Sequence, residues 1–314
     1  MPARGQRAPR RQHERGLLGG RGRRAGLIAL ALLIAVAGGL GLARARHEGS
    51  AGPAGPGHSA SGRSLAAEEA ARRQAVAWVA RQVSRGAVVA CDRVMCSALA
   101  ARGFPVGSLL VVGPTATGLS GSAVVIATAD IRGQFGSKLG SSEAPDVIAS
   151  FDSGSARIDI RAVASDGAAA YRTALRADLR ARQASGAQLL HNQRIIVSDT
   201  AQRQLAAGEV DSRLLITIAA LAARHPVRIV AFSGFAPDAS PGIPLRFVDI
   251  AETGGTGSTA GPAYVRSVRA LLGAQGPPYL PLRIEAARTA AGQDVLRIGF
   301  SAPSLLGLLG VGGR

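Results

Sequence analysis

AVVIATADIRGQFGSKL, residues 123–139, opens on a short apolar run and continues into polar, helix-forming sequence. An apolar run of this length predicts a buried strand over 123–127, and a helix follows over about 130–139. The same alternation lies upstream: a strand at 87–90, a helix at about 93–102 and a strand at 109–112. Downstream, extended runs at 147–151 and 156–163 are joined at Asp152-Ser153-Gly154, a combination at home in turns. Strands alternating with helices predict an α/β lobe over 65–163, with a largely parallel, Rossmann-like sheet and an antiparallel edge supplied by the closing hairpin.

Before this lobe, Ser64 is placed to cap a helix whose first turn carries Glu68 and Glu69, as the helix dipole prefers. Val76, Val79 and Val83 then share one face, with Trp78 beside them. After the lobe, residues 164–186 read as a bridging helix with Tyr171, Leu175 and Leu179 in line and Gly186 ending it. Residues 187–302 predict a second α/β lobe. Its elements are strands at 195–197, 227–232, 245–251, 282–286 and 295–300, with helices at 211–224 and 263–274. The order βαββαβ plus one strand suits a ferredoxin-like two-layer sandwich. An alternative is the α/β domain by which outer-membrane-protein-A-like modules bind peptidoglycan. Its helix would match YVRSVRALLGAQG (264–276), although its ligand motif is not recognisable around 233–241. Residues 303–314 read as a tail.

VVIATADIRGQF (124–135), VIASFDSGSARIDIRAV (147–163), the helix AVAWVARQV (75–83) and the strand and helix around 87–103 together carry a resemblance. Over residues 75–163 the chain resembles the soluble extracytoplasmic segment that ends some actinobacterial multi-spanning glycosyltransferases using lipid-linked sugar donors. The resemblance implies an α/β fold and an envelope-glycan setting. It carries no catalytic residue across, because in those enzymes the catalytic carboxylate belongs to the multi-spanning portion.

The setting is also legible in AGLIALALLIAVAGGLGLA, residues 25–43, nineteen residues without a charge. As a helix this stretch spans roughly 28 Å, close to the thickness of a bilayer core. Residues 1–24 form a basic tail of low apolar content holding eight arginines and one glutamate, which predicts a disordered cytoplasmic stub and a C-terminal domain outside the membrane. A cleaved signal peptide, with Ala43-Arg44-Ala45 as its site, is the competing reading and exports the chain equally. Residues 44–64 then read as a flexible Gly, Pro and Ser linker. Of the formal net charge of +17, +9 falls on residues 49–314, which favours anionic wall polymers or headgroups as neighbours over nucleic acid, scarce outside cells.

Cys91 and Cys96 are the only cysteines and, in an oxidising compartment, are placed to form a disulfide. GGTGSTAG (254–261) lies between a predicted strand and helix as a dinucleotide fingerprint does. Asp249 and Glu252 would then face the pyrophosphate, and Glu285 lies too far beyond, so it reads as a flexible connection. His47 and His58 are too isolated to hold a metal, and His191 and His225 sit at a turn and a helix end. Neither a GxSxG elbow nor an HExxH pair occurs. No cofactor, metal or catalytic residue is expected. Two functions follow: an anchored, non-enzymatic envelope protein that binds or scaffolds an envelope component, or an enzyme or accessory subunit of a glycosyltransferase acting on envelope saccharide.

Overall fold

A computed structural model describes residues 58–253 and 261–310, with side chains from residue 64 onward. The expected membrane helix at 25–43, most of the linker and nearly all of the Gly-rich 254–261 segment lie outside the described residues. Among those described, no helix is long and apolar enough to cross a membrane. The chain is α/β with two mixed sheets of five strands each. The first sheet is built from β1 (Val89–Cys91), β2 (Leu109–Val111), β3 (Val124–Ala127), β4 (Val147–Phe151) and β5 (Ile158–Ala162), in the order β2-β1-β3-β5-β4. Its first three strands run parallel, and β5 is antiparallel to both β3 and β4. One face packs on α1 (His58–Gln82) and α2 (Arg93–Ala101), through Val76, Trp78, Val79, Met95 and Leu99. The other face, with Ala90, Val125 and Ala127, packs on Ile131 and Phe135 of α3 (Ala129–Phe135). Burial on both faces explains why β1 and β3 read as unbroken apolar runs.

Two boundaries differ from expectation. Helix α1 begins at His58 rather than after Ser64, so the last residues of the predicted linker are helical. Alanines and paired Glu68–Arg72 and Glu69–Arg73 side chains at helical spacing support it locally. Helix α3 stops at Phe135 instead of 139, because Gly136 takes a φ of 53° at its C-cap, a conformation glycine adopts without a steric penalty.

Helix α4 (Ala168–Leu190) leads to the second sheet, formed by β6 (Ile195–Val197), β7 (Val227–Ser233), β8 (Phe247–Glu252), β9 (Arg283–Arg288) and β10 (Asp294–Gly299), in the order β6-β7-β8-β10-β9. Only β6 and β7 run parallel. A ferredoxin-like sheet splits its βαβ unit with an intervening strand. Here β6 and β7 are direct neighbours, so the expected ferredoxin-like arrangement is replaced by one parallel pair extended by antiparallel β8, β10 and β9, with β10 between β8 and β9. Helices α5 (Asp199–Ala207), α6 (Ser212–Arg224) and α7 (Pro262–Gly273) share one core with Val227, Ile229, Val248, Ile250, Leu296 and Ile298. Helix α5 was not expected. Its N-cap Ser198 accepts from Ala201 N and Gly208 closes it in the left-handed conformation, signals present in the sequence within a short polar stretch.

The lobes are also tied by backbone pairing. Ser150 N donates to Pro237 O at 2.8 Å and Ser240 N to Val147 O at 2.8 Å, so residues 237–240 cover the β4 edge of the first sheet. Beyond β10, Ala302 bridges to Val83, and Gly307 N donates to Asp178 Oδ1 of α4 at 3.1 Å. The expected tail is thereby anchored by Ala302, just before it, to the end of α1 and by Gly307 to α4.

Candidate functional site

The covering of the β4 edge creates a groove of about 570 Å³. Helix α1 forms one wall with the adjacent Arg73 and Gln74 and, about two turns on, Arg81. Asp152, just past β4, and Pro237-Asp238 form the opposite wall, with Trp78 and Phe151 between. The floor is fixed: Trp78 Nε1 donates to Phe235 O, and its ring meets Phe151 edge-on at 6.4 Å. Ser150 Oγ, at the floor, donates to Asp159 Oδ1 at 2.8 Å, and Asp159 is held in turn by Arg157 and Arg161.

Asp152 and Asp238 are the only non-glycine residues of positive φ among those described, at 64° and 46°. Such backbone costs about 1–3 kcal/mol for an ordinary residue, less for aspartate, and collects where side-chain placement matters. Asp152 Oδ1 accepts from Ser153 N at 2.7 Å, which fixes its carboxylate at the rim. Gln74, Arg81 and Asp238 engage no protein partner in hydrogen bonds or ion pairs. Donors therefore line one wall and carboxylates the other; Arg73 is already paired with Glu69, which leaves Arg81 facing Asp152 and Asp238. Asp152 was read from sequence as a turn residue and Asp238 was missed; the Pro-Asp and Asp-Ser-Gly steps were visible, but not that pairing across lobes would bring them together.

The residues singled out beforehand have structural roles. Cys91 and Cys96 are bonded, with Cα atoms 5.5 Å apart, joining the end of β1 to the first turn of α2. Asp92, between them, accepts from Met95 N as the N-cap of α2 and from Thr128 Oγ1 at 2.7 Å. That carboxylate stands between β1 and β3, where the strand order switches direction and where an open α/β sheet would place an anionic ligand; its charge opposes a phosphate there. Glu252 Oε2 accepts from Gly261 N at 3.2 Å, occupying the N-terminus of α7 with a carboxylate where a dinucleotide would need its pyrophosphate. Burial and, second, the Glu252 charge push the neighbouring Tyr264 phenol up to about 12. Asp249 points to the other face of the sheet, in a bidentate pair with Arg297 at 2.7 and 2.8 Å. His191 Nδ1 lies 2.7 Å from Ala187 O, and His225 Nε2 lies 3.1 Å from Ser267 Oγ. Among the described residues no three of His, Cys, Asp or Glu are grouped to hold a metal.

No protein-family model matches the chain, and no curated protein or solved structure shows significant similarity to it.

Proposed function

We propose that this chain is a single-span membrane protein whose extracytoplasmic domain binds a saccharide component of the cell envelope in the groove, without transforming it. The observation that carries the reading is that Gln74 and Arg81 on one wall and Asp238 on the other are free of protein partners. Polar groups without protein partners, converging on a concave surface, are what a hydroxyl-rich ligand requires, since each sugar hydroxyl both donates and accepts. The two carboxylates on the far wall favour an uncharged sugar unit over a phosphate. The +9 carried by residues 49–314 would draw the domain to the anionic polymers that accompany such sugars. The rival, an enzyme or glycosyltransferase subunit, needs an acid and a base separated by their surroundings. Asp152 and Asp238 are both exposed to solvent.

Binding is tested by cosedimentation of the ectodomain with purified wall polysaccharide. Arg81→Ala and Asp238→Ala should each weaken binding about tenfold or more, the effect of one charge-assisted hydrogen bond of ~1.5–3 kcal/mol. Unchanged binding in both variants removes the groove from the proposal. The anchor is supported by the apolar 25–43 stretch, its arginine-rich flank and the Cys91–Cys96 bond, a feature of oxidising compartments. A reporter enzyme that works only outside the cytoplasm, fused after Arg314, should be active; a fusion active only as a cytoplasmic reporter would reverse the topology.

A further inference from the structure

Where the two lobes meet α4, a small cavity of about 20 Å³ lies among Ile148, Tyr171, Leu175, Arg246, Pro303 and Ser304. A single water needs roughly 10–15 Å³ on such a measure, so the space holds one small particle. Arg246 is 1% exposed. Its Nη1 donates to Phe300 O at 2.9 Å, while Nη2 is buried with no hydrogen-bond partner; Ser304, on the same cavity, turns its hydroxyl to the Asp211 carboxylate.

The charge around Arg246 does not balance. The carboxylate nearest to it electrostatically, Asp211, is already committed to Arg213 through bonds of 2.9 and 2.8 Å. Tyr171 does not supply the missing charge, because burial and then the Asp146 carboxylate push its phenol up and keep it neutral. The rings of Trp78 and Phe247, both 5.8 Å from the guanidinium carbon, offer only their weak quadrupoles. Burial pushes the Arg246 guanidinium down to about 10, still far above neutral pH, so its charge remains. A charge that remains, buried and unpaired, is strongly destabilising unless a counter-ion joins it.

We infer that the cavity is a binding site for one small monovalent anion, chloride in solution, held by Arg246 Nη2 at the junction of the two lobes. Sulfate, phosphate and carboxylates are too large for it. A water would satisfy the hydrogen bonds and leave the charge.

The test is thermal unfolding of the full chain in nonionic detergent, with chloride exchanged for gluconate at constant ionic strength. Above its dissociation constant, each tenfold rise in chloride should raise the midpoint by about 3–5 °C, the shift expected for a ligand bound only by the folded state. Equal midpoints in the two salts mean that water fills the cavity and overturn the proposal. Ser304→Val, which puts methyl groups into the space, should remain folded and lose the chloride response. A chloride response retained in Ser304→Val places the ion elsewhere and overturns the site. Arg246→Met should abolish the response as well, and anomalous scattering from bromide beside Arg246 Nη2 in crystals of the ectodomain would locate the ion directly.

Discussion

Gly186→Val is expected to destabilise the protein by more than about 3 kcal/mol, the upper range for forcing extra atoms into a packed contact. Gly186 is not a helix end. Helix α4 runs through it to Leu190, and the position is where α4 lies against α5. A Cβ built there meets the Leu205 carbonyl oxygen at 2.3 Å and its carbonyl carbon at 2.9 Å. Those are backbone atoms, so no side chain can turn aside to make room, and the two helices must separate. Separation would also loosen Arg182, which donates to Gly208 O and to Asp178 Oδ2 in a pair sealed from water. The midpoint of thermal unfolding should fall by about 6–12 °C for a domain of this size. Gly133→Ala in α3 is the control. Nothing lies within 4 Å of a Cβ at that position, so alanine should be neutral or stabilising by a few tenths of a kcal/mol or more. A Gly186→Val protein melting within about 2 °C of wild type would mean that α4 and α5 do not depend on this contact.

That glycine shows which parts of the fold were legible. Strands such as Val124–Ala127 and Val147–Phe151 announce themselves because burial on both faces leaves an apolar run, and the Cys91–Cys96 pairing followed from having only two cysteines. Gly186 in sequence looks like a stop signal, since a glycine that ends a helix and one that lets two helices touch are the same residue. The distinction lies in Leu205, nineteen positions on. Strand order was hidden for a similar reason: apolar pattern places a strand in a sheet but does not choose its neighbour, so β6 and β7 gave no sign of direct parallel pairing. The groove was the least legible part. Arg73, Gln74 and Arg81 look like the solvated face of an amphipathic helix, and only the pairing of residues 237–240 with β4 brings Asp238 opposite them.

Asp211→Asn should destabilise by about 3–5 kcal/mol, because it removes the negative charge from a cluster that holds two buried arginines. Asp211 is 1% exposed and Arg213 3%. The carboxylate accepts from Arg213 N, Nε and Nη2, and Arg213 Nη2 also donates to Ser301 O at 2.8 Å. Asparagine caps a helix about as well as aspartate, so α6 keeps its start and the loss reports the charge. The Asp211→Asn, Arg213→Met double variant should recover most of the loss, since removing both ions leaves neither unpaired. Acidification gives an independent reading. Burial pushes the Asp211 carboxyl up, but the hydrogen bonds and charge of Arg213 outweigh it and hold the carboxyl below its ordinary value. A lowered carboxylate stabilises the folded state above its unfolded pKa of about 3.9, and that contribution disappears as pH falls through the folded value. Urea unfolding followed from pH 7 to pH 3 should therefore show wild type losing stability at the acidic end more steeply than Asp211→Asn. Parallel pH curves, or a single variant as stable as wild type at pH 7, would show that the Asp211–Arg213 pair does not hold this junction together.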